Sequence, residues 1–233
     1  GILIDAGVSA KRIETALLER GISPSSIEAI FVTHEHTDHT SGLRVLTKKY
    51  GYKVYASAGT LYELERAELL NYCREYGIIG DNGIAVADML VKRFRTSHDS
   101  RESLGFRVST GDGRVLSVAT DTGCMTQEVR QSLMGSDLVL IESNHDVEML
   151  KSGSYPYFLK RRILCNTGHL SNECCAVELP VLASSGVTRF ILGHLSKENN
   201  FPELAYQTVR NALCEKCLKA GTDITLDIAL RDR

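Results

Sequence analysis

Short apolar runs alternate with amphipathic stretches along most of the chain. The runs predict strands at 2–5, 29–33, 53–55, 83–86, 90–95, 104–109, 115–119, 138–141 and 189–192. Amphipathic spacing predicts helices at about 9–20, 40–50, 61–76, 127–134 and 202–218, with further helical stretches before 164 and after 171. Because these elements do not alternate as regular βαβ units, the pattern favours packed sheets with helices outside them over a doubly wound fold.

Turn and capping residues separate these elements. Ser9 is a typical helix N-cap, and Gly21 is typical of a helix end. The Gly-Asp-Gly sequence at 111–113 predicts a hairpin between two strands. Pro180 is expected to break or kink the helix that follows Ser171.

The overall composition is that of an ordinary globular protein. The 233 residues are 43% hydrophobic and 24% charged, which excludes a disordered or fibrous chain and predicts a single domain over 1–233. The longest aliphatic runs, such as 138–141, are far shorter than the roughly 20 residues of a membrane helix, so we expect no membrane association. The net charge of -2 gives no general support for nucleic-acid binding. The odd count of seven cysteines indicates free thiols and predicts a cytoplasmic protein.

The strongest chemical signal is the segment 34–39, which reads His-Glu-His-Thr-Asp-His directly after a predicted strand. Residues two apart on an extended chain point the same way, so His34 and His36 can hold one ion together. Asp38 and His39 come after the strand end and can turn toward a second ion. Imidazole and carboxylate ligands suit zinc, manganese or iron better than calcium or magnesium alone.

A site for two ions needs further ligands from other strand ends. His98, Asp121 and His194 each follow a predicted strand. A single histidine in such a place is usually unremarkable, but three such groups downstream of the 34–39 segment indicate one shared metal site.

These residues resemble the pattern of the metallo-β-lactamase superfamily: H-x-H-x-D-H, then His, Asp and His in chain order. The chain is more similar still to the YycJ/WalJ group of bacterial exonuclease-like hydrolases. The supporting stretches are Leu-Ile-Asp-Ala-Gly at 3–7, Ala-Thr-Asp-Thr-Gly at 119–123, Glu-Ser-Asn-His-Asp at 142–146, Gly-His-Leu-Ser-Asn at 168–172 and His-Leu-Ser-Lys-Glu-Asn-Asn at 194–200. The resemblance implies an α+β fold, the four-layer αββα sandwich. Since the family usually has one or two strands before the first of these stretches, we expect the chain to lack its first strands.

The resemblance also implies the ligands of two divalent ions, zinc or manganese with iron as a further option. They are His34, His36 and His98 for one ion, Asp38, His39 and His194 for the other, and Asp121 for both. Asp121 stands where the commonest secreted zinc β-lactamases carry cysteine, and phosphodiesterases and thioesterases of the superfamily carry aspartate there. Asp5 is either a ligand-orienting residue or an ordinary turn aspartate.

The catalytic candidates are Asp38, Asp121 and His169. In related ribonucleases a histidine comparable to His169 contacts phosphate or protonates the leaving group. Glu142 is a candidate for hydrogen-bonding another histidine.

Substrate contacts are predicted at four further positions: His145, Arg161, Arg162 and Asn199. The basic run 160–162 precedes His169 and could follow a phosphate backbone, although such runs are more often solvated surface. The aromatic segment 155–158 could stack bases, but core packing is the favoured interpretation.

The resulting hypothesis is a metal-dependent hydrolase in which a metal-bridging hydroxide is the nucleophile. Two divalent ions with two carboxylates and a hydroxide leave a positive centre, which favours an anionic substrate such as a phosphodiester. The resemblance implies a nucleic-acid exonuclease, acting 5′ to 3′ with DNA favoured. The alternative is a small-molecule hydrolase of thioester, lactone or cyclic-nucleotide type.

Overall fold

Four parallel strands form the sheet of the first of two units in the computed structural model, which describes residues 1–230. This first unit comprises Gly1–Arg93 and Ser100–Leu104. The strands lie in the order β1 (Ile2–Ile4), β2 (Ala29–Phe31), β3 (Lys53–Ala56) and β4 (Tyr76–Ile78). All three residues of β2 are buried, as expected for a central parallel strand that reads as a continuous apolar run.

The helices of the first unit bury one apolar side each against a shared core. They are α1 (Ala10–Glu19), the short α2 (Thr37–Thr40), α3 (Leu43–Tyr50) and α4 (Ala58–Arg66), with a 3₁₀ turn at Pro24–Ser26. The Ser9 side chain caps α1 by accepting a hydrogen bond from the Arg12 amide. The core includes Ile30, Val54, Leu43, Leu46 and Leu64. Strands β5 (Ile84–Val86) and β6 (Met89–Arg95) pair antiparallel, and β6 leads into the second unit.

The second unit comprises Phe94–Asp99 and Gly105–Arg233. Its strands are β7 (Leu104–Ser109), β8 (Val115–Ala119), β9 (Leu138–Glu142), β10 (Arg189–Gly193) and β11 (Thr225–Ile228), in the order β11-β10-β9-β8-β7. β7 and β8 are antiparallel, and β8 to β11 are parallel. Its helices are α5 (Gln127–Leu133), α6 (Val147–Ser152), α7 (Tyr157–Leu164), α8 (Asn172–Ser184) and α9 (Pro202–Glu215).

The parallel arrangement of β8, β9 and β10 places their carboxyl ends side by side. Ala119 pairs with Ile141, and Glu142 pairs with Gly193. The residues at these ends therefore meet at one edge of the sheet, the usual place for sites in parallel sheets. A core that includes Val139, Ile141, Leu179 and Phe190 fixes the sheet beneath that edge.

The structure differs from the sequence predictions at four elements. The helix expected to reach 76 ends at Arg66, because Glu68 adopts a left-handed backbone with φ of 57° that a helix cannot continue. The short strands β4 and β11 were not predicted. Helix α8 runs through Pro180 without a break, and the burial of Leu179 and Leu182 on either side offsets the lost hydrogen bond.

The expectation of one domain over 1–233 remains a prediction. Among residues 1–230, none of the helices combines the length and the apolar character needed to cross a membrane.

Candidate metal centre

Asp5 orients a histidine of the 34–39 segment in the first unit. It follows β1, and the main-chain amide and hydroxyl of Thr33, just after β2, donate to its two oxygens at 2.7 and 2.8 Å. His39 Nδ1 lies 2.7 Å from Asp5 Oδ2. Because a carboxylate only accepts, this contact fixes the proton on Nδ1 and leaves Nε2 as the nitrogen available to a metal ion, an arrangement typical of metal-binding histidines.

His34 and His36 bring two ring nitrogens to one point. His34 Nε2 lies 2.9 Å from His36 Nδ1. Two nitrogen ligands of one tetrahedral zinc would be about 3.3 Å apart, given Zn–N distances of roughly 2.0–2.1 Å. Asp38 lies in the short helix α2 of the same unit, and its side chain is 61% exposed. The donors of this unit therefore fit a divalent ion by type and by spacing.

Gly7 is required for the close approach of the segment after β1 to the helical turn α2, which holds Asp38 and His39. A Cβ at this position would lie 1.7 Å from the Asp38 carbonyl oxygen. We expect Gly7→Ala to displace that turn, to destabilise the protein by about 3 kcal/mol and to reduce metal binding. Thermal unfolding and metal titration test this, with Gly80→Ala as the control because a Cβ there meets nothing within 4 Å. Equal stability and metal affinity of the two variants would contradict the prediction.

Glu142, at the end of β9 in the second unit, is fully buried and is the centre of a hydrogen-bond network. His169 Nδ1 and His194 Nδ1 both donate to its Oε1, each at 2.8 Å. The main-chain amides of Thr122 and Leu170 donate to its Oε2 at 2.9 and 3.1 Å. One carboxylate thus fixes two imidazoles with their Nε2 atoms as the remaining nitrogens.

Asp121 lies among three histidines at the same sheet edge. Its Oδ1 is 3.6 Å from His98 Nε2, 3.6 Å from His194 Nδ1 and 3.7 Å from His169 Nδ1. The Nδ1 atom of His98 donates to the Gly168 carbonyl oxygen at 3.1 Å. One potential ligand atom from each of Asp121, Glu142, His169 and His194 lies within 4.8 Å of the others. The oxygen and nitrogen donors of this unit also fit a divalent metal ion.

Three strand-end residues of these two sets share an unusual backbone conformation. Asp5, Asp121 and His194 have φ values of 61°, 54° and 55° after β1, β8 and β10. Left-handed backbone is uncommon outside glycine and concentrates at functional sites.

Burial and hydrogen bonds shift the ionisation of this network. Burial alone would raise the pKa of the Glu142 carboxyl, but the bonds from His169 and His194 outweigh it and lower that pKa to about 2. Burial alone would lower the pKa of His169, but the hydrogen bond to the Glu142 carboxylate and the charge of that group outweigh it and the pKa is raised. Burial lowers the pKa of His98 and of His145.

The predicted substrate residues have different surroundings. His145 is buried beside Asn144, and no described residue hydrogen-bonds to its Nε2. Asn199 is likewise buried, and its side-chain amide nitrogen has no described partner. Arg162 pairs through its Nε with Asp99, the neighbour of His98, whereas Arg161 is exposed on α7.

Comparison with known proteins identifies the family. A sequence model described as the β-lactamase superfamily domain matches residues 1–195. The chain belongs to this superfamily. Two relatives in it are the exodeoxyribonuclease WalJ of Streptococcus pneumoniae strain D39 and the exodeoxyribonuclease YycJ of Bacillus anthracis. WalJ is 38% identical over 95% of this chain and 83% of its own length, and YycJ is 36% identical over 94% and 83%.

Solved structures of the superfamily share the fold. The match to YhfI from Bacillus subtilis covers 98% of this chain and 83% of the YhfI chain, with a TM-score of 0.67 and 14% sequence identity. The match to Zn²⁺-bound PqqB from Methylobacterium extorquens covers 98% of this chain and 80% of the PqqB chain, with a TM-score of 0.71 and 18% sequence identity. The expected α+β metallo-β-lactamase fold and the resemblance to the YycJ/WalJ group are therefore confirmed.

The metal ligands predicted from the superfamily resemblance are divided between the two units as follows. His34, His36, Asp38 and His39 lie in the first unit, and His98, Asp121 and His194 lie in the second. The sequence analysis did not identify Thr33, although its hydroxyl donates to Asp5 and lies 3.0 Å from His34 Nδ1. Its only sequence signal is its place at a strand end before His34.

Proposed function

We propose that the chain is a metal-dependent exonuclease that removes nucleotides from the ends of DNA. The observation that carries this proposal is the relation to two exodeoxyribonucleases, at 36–38% identity over nearly the whole chain. The donor sets described above support it, because they supply the residue types that a two-metal hydrolase needs.

The proposed ligands of two divalent ions, zinc or manganese, follow the superfamily pattern. They are His34, His36 and His98 for one ion, Asp38, His39 and His194 for the other, and Asp121 for both. Bound together, such ions would lower the pKa of water and would stabilise the attacking and leaving oxygens of a phosphoryl displacement. The zinc named in the PqqB structure makes zinc a reasonable first metal to test.

The chain's own residues orient the donors and handle the proton. Asp5 and Glu142 hold His39 and His194 with Nε2 as the ligating atom. Glu142 holds His169 in the same tautomer, so its Nε2 is the nitrogen that would contact phosphate or donate a proton to the departing oxygen.

Besides the metal ligands, four residues are proposed to contact the DNA strand. Arg161 and Arg162 would attract its phosphates, with Arg162 also held by Asp99. His145 and Asn199 have buried polar atoms without a described partner, which substrate or water could satisfy.

The cysteines support an intracellular, reducing location for this activity. All seven lie among the described residues, and none forms a disulfide. We therefore propose the cytoplasm as the compartment.

Degradation of end-labelled single-stranded DNA with added manganese or zinc tests the proposal. We expect stepwise loss of nucleotides that a chelator stops and that metal restores. Release of label from the 5′ end first would support the 5′-to-3′ direction implied by the family. Brisk thioester or lactone hydrolysis without cleavage of any nucleic acid would instead establish a small-molecule hydrolase.

A further inference from the structure

Helix α7 carries two of the most exposed aromatic side chains of the protein. Tyr157 and Phe158 are 76% and 72% exposed, more than any other large hydrophobic residue among 1–230. No residue of α7 is buried. The core packing favoured from the sequence is therefore wrong for these two positions. Adjacent exposed rings of this size usually mark a binding surface.

The surroundings of the two rings are cationic. Arg161 and Arg162 occupy the last turn of α7, and the Arg161 guanidinium lies 5.9 Å from the centre of the Tyr157 ring. Lys160 anchors the helix through a 2.7 Å bond to the Lys151 carbonyl oxygen. The nearby acids, Glu148 and Asp99, are already paired with Lys151 and Arg162. Flat aromatic faces with a positive rim match a polyanion that has exposed bases better than an apolar protein surface.

The carboxyl end of α7 is fixed to the candidate metal centre within the second unit. The His169 amide donates to the Ile163 carbonyl oxygen at 3.0 Å, and Ser97 Oγ donates to the Asn166 carbonyl oxygen at 2.7 Å. A Cβ at Gly168 would lie 2.1 Å from the Ile163 oxygen, so the turn tolerates no side chain. The helix that carries the rings is therefore tied at its carboxyl end to the segments that carry His98 and His169.

We propose that Tyr157 and Phe158 form a stacking platform for unpaired bases of the strand whose end is held at the metal centre. This inference rests on the proposed nuclease function and adds to it a contact with bases that are unpaired at the end being degraded, because base faces are available for stacking only where the strands are separated. Tyr157 and Ile163 are about 9 Å apart along the helix at 1.5 Å per residue. That length corresponds to roughly three stacked nucleotides at 3.4 Å each, so substrates shorter than this gain nothing from the platform.

Kinetics of the double variant Tyr157→Ala/Phe158→Ala test the platform. For a dodecamer of thymidine we expect the KM to rise by roughly 10- to 100-fold with little change in kcat, since each stacked base contributes about tenfold or more to binding. Hydrolysis of a thymidine dinucleotide and of bis(p-nitrophenyl) phosphate should stay within about twofold of the parent. The variant Tyr157→Trp/Phe158→Trp keeps two aromatic rings and should have a dodecamer KM close to that of the parent. Tyr72→Ala, which removes a 43% exposed tyrosine of the first unit, is the matched control.

Fluorescence gives a second measurement that does not depend on turnover. The chain contains no tryptophan, so Phe158→Trp introduces a single reporter at the platform. We expect a phosphorothioate dodecamer, which resists hydrolysis, to quench its emission in the metal-loaded protein. A blunt duplex of the same length has fewer unpaired bases and should quench it less, and neither oligonucleotide should quench Tyr72→Trp.

The outcomes separate the platform from the function on which it rests. Cleavage of single-stranded DNA with an unchanged dodecamer KM in the double variant would overturn the platform and leave the nuclease intact. Absence of nucleic-acid cleavage by the parent protein would overturn the proposed function itself. Unchanged kinetics together with loss of a dimer in the double variant would assign the two rings to a contact between copies of this chain.

Discussion

Asp121→Ala is expected to reduce hydrolysis more than any other single substitution in the second unit. Asp121 Oδ1 lies within 3.6–3.7 Å of nitrogens of His98, His169 and His194, and the proposal makes it a ligand of both ions. Its removal would take one ligand from each ion and would leave two cations facing each other unshielded. The loss should exceed that of His169→Ala, which removes only a proton donor or phosphate contact worth about 10²- to 10⁴-fold.

The comparison requires turnover of bis(p-nitrophenyl) phosphate at saturating metal, together with the metal content of each variant. Asp112→Ala is the control, because Asp112 lies in the exposed hairpin between β7 and β8 and its contacts are with its neighbours Thr110 and Arg114. We expect Asp121→Ala to lose metal as well as activity, and His169→Ala to keep its metal. Near-normal turnover of Asp121→Ala would refute its shared-ligand role.

The positions of the metal donors were predictable from the sequence because they depend on strand ends. Parallel strands bring their carboxyl ends to one edge, so a histidine or aspartate just after a strand becomes a candidate from local pattern alone. That reasoning placed His98, Asp121 and His194, and the dense spacing of segment 34–39 supplied the other four candidates. Their assignment to particular ions came from family resemblance and remains a prediction.

Other features depend on long-range packing that periodicity does not report. The sequence made Glu142 a candidate for bonding to a histidine, but it did not show that one carboxylate serves both His169 and His194. The left-handed backbone at Asp121 and His194 has no local sequence signal, since neither residue is glycine. The exposed rings at 157 and 158 were misjudged because aromatic residues are buried more often than not.

Glu142→Gln is expected to weaken both the fold and the metal centre. The buried Glu142 carboxylate accepts four hydrogen bonds, whereas a glutamine amide has one accepting oxygen and an NH₂ group that only donates. In either orientation the amide would direct its N–H groups at two donors, and each unsatisfied buried group costs about 1–3 kcal/mol.

We therefore expect Glu142→Gln to lower the free energy of unfolding by about 2–4 kcal/mol, which shifts the thermal midpoint by roughly 5–12 °C in a protein of this size. Metal affinity should fall by about 10- to 100-fold, the usual effect of losing a carboxylate that orients a ligating histidine. Calorimetric unfolding without metal and metal titration measure the two effects separately. Glu148→Gln is the control, because Glu148 forms an exposed pair with Lys151 that contributes less than about 1 kcal/mol. Retention of parent metal affinity by Glu142→Gln would mean that the sheet edge, rather than this carboxylate, holds His194 in place.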